Sequence, residues 1–221
     1  MIVHAVDEPE APEADEPEST EDFVAAATHW AFVYPNGWWA VPLDDPERID
    51  ERVRAVVLRR LGRRDDRARV RREAREHLSR AAHGAAEQGA IGLTVFSMDV
   101  GDVAITGTMA VFPVEVGEGT EADELLVRLT GSLSGADVDR RTLDDGSVLR
   151  GVRQSEIERT DTDGNPVLPE LRADYWTGRQ GLEPVLHVSF STPFVSLRAA
   201  MLELFDAVVL SLHPVVRQET A

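Results

Sequence analysis

Residues 91–116 read IGLTVFSMDVGDVAITGTMAVFPVEV, and this stretch decides the fold. Val, Ile, Thr and Phe dominate it, the side chains that suit a pleated, half-buried surface. Val100-Gly101-Asp102 breaks the run with residues that tolerate a tight turn. The reading is two strands, 91–99 and 103–116, folded back on each other. So short a connection permits only antiparallel pairing. The same pattern recurs downstream. Residues 136–143 and 147–158 flank Asp144-Asp145-Gly146, and 171–177 and 184–191 form a further strand pair.

Helices fill the spaces between these pairs. Asp45 and Pro46 are an N-cap and a first helical residue. Ile49, Val53, Val56, Val57 and Leu61 then repeat at helical spacing up to Gly62. Asp65 or Asp66 is expected to cap a second, longer helix with Val70, Ala74, Leu78, Ala81 and Ala85 in line, ending at Gly89. Thr120 opens a short helix carrying Leu125, Leu126 and Leu129. A last helix follows Thr192-Pro193 and presents Phe194, Leu197, Met201, Leu204, Phe205, Val208 and Leu212 as its apolar stripe. At the front, Trp30, Phe32 and Tyr34 alternate, Pro35-Asn36-Gly37 turns, and 38–43 resumes an extended pattern, which predicts a β-hairpin. The order is ββ-αα-ββ-α-ββ-ββ-α. It predicts an α+β fold with a mostly antiparallel sheet of about six to eight strands, covered by helices. No GxGxxG follows a strand, so a doubly wound nucleotide fold is not expected.

Composition narrows the chemistry. The chain of 221 residues carries a net charge of −17, and all 23 of its basic residues are Arg. With no Cys there is no thiolate nucleophile, disulfide or thiolate zinc site. With no Lys there is no Schiff base and no P-loop lysine. The charge is unevenly spread. Residues 1–22 hold nine acids and no Arg, residues 47–80 net +6, and residues 81–221 net −12. Pro9, Pro12 and Pro17 alternate with acids at the front, so 1–22 reads as a disordered acidic tail before a single domain over 23–214 and a flexible end over 215–221. No basic, apolar leader and no apolar run of about 20 residues is seen, so a cytoplasmic protein without membrane insertion is expected.

Two stretches carry a family resemblance. One is Trp39-Ala40-Val41-Pro42-Leu43 entering the Asp-Pro-capped helix pair. The other is His187-Val188-Ser189-Phe190-Ser191-Thr192-Pro193 with Leu204-Phe205-Asp206-Ala207-Val208. Together they resemble small actinobacterial proteins associated with type VII secretion regions, and the strand order is similar to the α/β/α sandwich of Mog1/PsbP-like proteins. The resemblance implies a binding or accessory role and brings no catalytic residues with it.

Candidate sites are few, and each has an ordinary structural alternative. His187 on a late strand, with Asp174 and Arg179, is the candidate catalytic group of a hydrolase or the lining of a small-ligand cleft. A hydrogen-bonded structural histidine is the competing reading. His77 and His83 stand six apart and lack the spacing of a zinc pair. Asp161, Asp163 and Asn165 resemble part of a calcium loop, but Gly164 comes too early and Arg172 falls at the twelfth position, where a Glu is needed. The reading is therefore a turn, with Asp and Asn making local bonds and Gly164 supplying positive φ, and weak calcium binding is the lesser alternative. Gly131-Ser132-Leu133-Ser134-Gly135 fails as a nucleophile elbow because its centre is Leu133. For interaction, the candidates are Trp38 and Trp39, adjacent on one strand and so facing opposite ways, and Arg60, Arg63, Arg64, Arg67 and Arg71 on the helix pair. Nucleic acid is disfavoured by the acidity of the rest of the chain. The expected function is a non-catalytic protein-interaction or adaptor module, with another protein as partner and no cofactor. The acidic tail is a competing occupant of the Arg-rich helices.

Overall fold

The computed structural model describes residues 30–101, 103–115, 122–133, 135–155, 159–160, 166–167, 169–179 and 185–214. Seven strands form one sheet. They are β2 (Trp38–Val41), β3 (Gly92–Val100), β4 (Val103–Val114), β5 (Asp137–Leu143), β6 (Gly146–Ser155), β9 (Glu170–Arg179) and β10 (Val185–Thr192). Their spatial order is β2-β3-β4-β10-β9-β6-β5, with antiparallel pairing throughout. Two short ribbons lie outside it, β1 (Trp30–Ala31) with β11 (His213–Pro214), and β7 (Arg159–Thr160) with β8 (Pro166–Val167). The helices are α1 (Pro46–Leu61), α2 (Ala68–Glu87), α3 (Ala122–Ser132) and α4 (Arg198–Leu210).

Alternation along the strands sends successive side chains to opposite faces. One face packs Phe96, Met109, Tyr175, Val188 and Phe190 against Met201, Phe205 and Val208 of α4. The other is covered in two separate places. Val41, Leu93 and Val95 pack on Ile49, Val53, Val56 and Val57 of α1, while Leu149, Trp176 and Val185 pack on Leu126 of α3. The α+β sandwich expected from the strand pairs is therefore the observed fold.

The ends of α1 behave as their residues dictate. The Asp45 carboxylate accepts from the Glu47 amide at 2.7 Å, Pro46 takes the first helical position, and Gly62 ends the helix at φ 68°. The start of α2 differs from expectation. Asp65 and Asp66 make no capping bond but lie in a 3₁₀ turn of their own. The junction is instead closed by Arg71, whose guanidinium donates to the carbonyls of Gly62 at 3.0 Å and Arg64 at 2.6 Å.

The front hairpin does not form. Trp30 and Ala31 pair with Pro214 and His213, and Trp38–Val41 pairs with β3. The reason is burial on all sides: Trp30, Ala31 and Phe32 are each 5 % exposed or less. A two-stranded ribbon at a sheet edge cannot enclose three consecutive side chains, whereas a segment laid beside the end of α4 can. The Val33 amide donates to Ser211 Oγ at 2.9 Å and fixes it there.

Gly107 on β4 permits a close approach. A Cβ there would lie 2.3 Å from Phe96 Cζ and 2.5 Å from the Ser191 carbonyl oxygen. Because the second obstacle is backbone, the Gly107→Ala variant is expected to lose about 2 kcal/mol, an overpacking cost read by urea denaturation. Unchanged stability would mean that the Phe96 ring does not lie over this glycine.

Candidate functional site

The two covered patches on the second face leave a strip between them. Thr108, Ala110 and Phe112 on β4 and His187, Ser189 and Ser191 on β10 are only half-buried, although both strands lie in the middle of the sheet. Register builds the site. Trp176 stands opposite His187, Asp174 opposite Ser189, and Arg172 opposite Ser191. On β6, Gly151 faces Asp174 and Arg153 faces Arg172.

Asp174 is the hub. Its side chain is 3 % exposed, and His187 Nε2 donates to its Oδ1 at 3.0 Å. Arg172 Nε lies 3.2 Å from both carboxylate oxygens, and Arg153 approaches Oδ2 at 3.9 Å. The Ser189 hydroxyl donates to the same group. Burial by itself pushes the Asp174 carboxyl upward. The bonds from His187 and Ser189, with the Arg172 charge, outweigh it and hold the carboxyl below its ordinary value. Glu170 accepts from Ser191 at 2.6 Å one row away, so two acids balance two arginines. The His187 ring is clasped between aromatic neighbours. It stacks on Trp176 at 4.8 Å and 7°, and on Phe112 at 5.5 Å and 25°.

This arrangement orients an imidazole but does not assemble an acyl-transfer relay. In a Ser–His–Asp relay the imidazole bridges hydroxyl and carboxylate. Here the carboxylate bridges imidazole and hydroxyl, so Ser189 is held away from the base that would activate it. Of the three residues named from sequence, His187 and Asp174 come together. Arg179 stands opposite Gly146 at the far end of β9, and its side chain is outside the described residues. Arg172 occupies the position that Arg179 was expected to hold. Arg153, Ser189, Trp176 and Phe112 were missed as well. A signal for Arg172 and Trp176 was present, because each is two residues from Asp174 and a period of two places all three on one face. Phe112 and Arg153 come from strands whose pairing no local pattern reveals.

Asp161, Asp163 and Asn165 lie outside the described residues. No cluster of three metal-ligating side chains exists among the described residues, and no helix there is long and apolar enough to cross a membrane. Trp38 and Trp39, the aromatic interaction candidates, do face opposite ways, and both are half-buried. Trp38 stacks between Tyr34 at 5.5 Å and Phe96 at 4.5 Å, and Trp39 packs with the α1 and α2 core. Burial raises the Tyr34 hydroxyl to about 12, against a smaller opposing effect from Thr94. A small cleft on the opposite face, between α4 and the β5–β6 edge, is an ion-pair network. Arg150 donates to both Asp206 oxygens at 2.9 and 2.8 Å, Tyr175 donates to Asp206 at 2.8 Å, and Arg141 lies 2.8 Å from it. It ties α4 to the sheet through Asp206, while Arg150 Nε is buried without a hydrogen-bond partner among the described residues.

The Arg-rich helix pair is the other candidate. Residues 59–72 hold eight Arg and two Asp, a net of +6 in four helical turns' length of chain. Two of these arginines do structural work: Arg60 forms a two-pronged pair with Asp99 of β3, and Arg71 closes the junction. The side chains of Arg63 and Arg67 are exposed and make no hydrogen bond or ion pair among the described residues. Arg64, Arg69 and Arg72 have side chains 78 %, 76 % and 65 % exposed; Arg69 pairs with Glu73 at 3.0 Å, and Arg64 and Arg72 pair loosely with Asp66 at 3.9 Å and Glu76 at 4.0 Å.

No family model matches the chain, and the search of curated proteins found no match. Among solved structures it is similar to cyanobacterial PsbP (CyanoP) from Synechocystis sp. PCC 6803, at 13 % identity over 84 % of this chain and 86 % of that one, with a TM-score of 0.38.

Proposed function

We propose that the protein is a non-catalytic interaction module that docks an acidic protein segment on the junction of α1 and α2. One observation carries this reading: a net of +6 confined to residues 59–72, displayed on exposed guanidinium groups in an otherwise acidic chain. Planar guanidinium forks bind carboxylates two bonds at a time and do not lose their charge. The neighbouring acids compete weakly, since exposed ion pairs contribute about 0–1 kcal/mol. A cytoplasmic accessory role beside a secretion apparatus, which the sequence resemblance implied, is one setting for such a surface.

Calorimetric titration with a synthetic peptide of alternating Glu and Ala tests the reading. Binding is expected to weaken at least about tenfold in the Arg63→Glu/Arg67→Glu variant, a loss of roughly 1.4 kcal/mol or more. It is expected to be unchanged in Arg153→Gln/Arg172→Gln. A peptide that binds both variants alike, or a short DNA duplex that binds more tightly than the peptide, would overturn it.

The oriented His187 favours a second reading, a small-ligand site or hydrolase on the uncovered strip. Its Nδ1 makes no bond among the described residues and could act as a base toward a bound molecule. The bridging position of Asp174 supports holding a ligand over activating a nucleophile. Hydrolysis of an activated ester that disappears in His187→Ala, with stability retained, would make this the better reading.

A further inference from the structure

We propose that the chain's own acidic stretch, residues 7–22, docks on the Arg-rich junction of α1 and α2 and competes there with external partners. The competition rests on the reading of that junction as a site for acidic segments; the docking itself does not.

Charge selects the site. Residues 1–22 contain nine acids and no Arg. Residues 81–221 net −12, and their described arginines are largely committed, Arg150 and Arg141 to Asp206, Arg172 to Asp174 and Arg198 to Asp137. An acidic segment is therefore repelled over most of the molecule. The junction attracts it. Widening the window to 59–76, to include Glu73 and Glu76, still leaves +5. Arg63 and Arg67 have no partner to displace among the described residues. Arg69 and Arg72 can exchange an exposed i, i+4 pair for another carboxylate at little cost.

Reach is not limiting. The described chain begins at Trp30. The intervening residues back to Asp22 extend to about 25 Å, and those back to Asp7 to about 75 Å. A folded domain of this size has a radius of gyration of roughly 16 Å. Closing the loop adds little cost for each extra residue. The tether supplies an effective concentration near millimolar, enough for weak, exchangeable ion pairs to be populated. The spacing of the acids suits this kind of contact. They fall in pairs and singles (Asp7-Glu8, Glu10, Glu13, Asp15-Glu16, Glu18 and Glu21-Asp22) separated by Pro, Ala and Ser19-Thr20, so no folded geometry is needed to present them.

The absence of Cys makes the test direct. A Ser19→Cys variant of the full chain has one thiol and takes one nitroxide label. At about 20 mM salt, the amides of residues 59–72 are expected to broaden selectively, and to recover at about 0.5 M, where screening shortens the range of charge interactions to a few ångströms. The same label in an Arg63→Glu/Arg67→Glu background is expected to leave those amides sharp. Broadening that is absent, or that persists in this background, would overturn the docking. The competition is read separately. In a full chain whose nine tail acids are replaced by Asn and Gln, the Glu/Ala peptide is expected to bind about three- to tenfold more tightly. Selective broadening without peptide binding would keep the docking and remove the proposed function. Equal peptide affinity in both chains, without broadening, would keep the function and remove the docking.

Discussion

The Asp174→Ala variant is expected to be about 3 kcal/mol less stable than the parent chain. The carboxylate is nearly inaccessible and accepts from His187, Ser189 and Arg172, with Arg153 close by. Removing one member of such a cluster leaves the others facing a gap, a cost of about 3–5 kcal/mol where all are buried. The lower end applies because Arg172 and Arg153 are half-exposed and can turn to water. For a domain of this size the melting temperature should fall by roughly 6–12 °C. Asp174→Asn keeps an acceptor and the volume, and should lose about 1–2 kcal/mol. A more stable Asn variant would show that burying the charge costs more than its bonds return. The pH dependence has a definite sign. The carboxyl is depressed in the folded state, so its contribution is present above the unfolded value near 4 and is lost as the pH falls through the folded value. The stability of the parent chain should therefore fall more steeply than that of Asp174→Asn below about pH 4, in urea titrations at fixed pH.

Phe205→Ala should cost more, about 4 kcal/mol. Phe205 is fully buried at the centre of α4. Its ring stacks on Phe190 at 4.2 Å and 14°, and meets Phe96 edge-on at 6.0 Å. Truncation removes the transfer energy of the ring, leaves a cavity and breaks two aromatic contacts. The cavity cannot collapse, because Phe190 and Phe96 belong to central strands whose backbone is fixed by pairing on both sides. Phe205→Leu fills most of the space and should lose only about 1.5 kcal/mol. Urea denaturation followed by the fluorescence of the four tryptophans reads both variants. A loss under about 1 kcal/mol in Phe205→Ala would mean that α4 is not the main cover of this face.

The elements of the fold were largely legible from sequence. The helix 46–62 was expected and Pro46–Leu61 is found; the strands 91–99 and 103–116 appear as Gly92–Val100 and Val103–Val114. Local periodicity, an Asp-Pro start, a Gly end and a three-residue turn carry that information, because each acts within a few residues of itself. The half of the candidate site that was legible, Asp174 and His187, belongs to two strands adjacent in sequence. The Arg-rich junction was equally plain, since it is contiguous. The error at the front has the opposite cause. Trp30, Phe32 and Tyr34 alternate like strand residues, but what orders them is the end of α4, some 180 residues away.

The sequence by itself determined most of the helices and central strands, the α+β class, and the concentration of charge into an acidic stretch and an Arg-rich junction. These follow from short-range sterics, hydrogen bonding and composition. Only the tertiary structure decided how those strand pairs join one another. The pairing of β4 with β10 unites the first strand pair with the last strand and brings Phe112 against His187. It also decided that the second sheet face is covered at its two sides and left open over β4 and β10, and that Trp38 and Trp39 belong to two separate cores. Those outcomes depend on which apolar surfaces bury one another across long stretches of chain, and no residue's neighbours in sequence encode that choice.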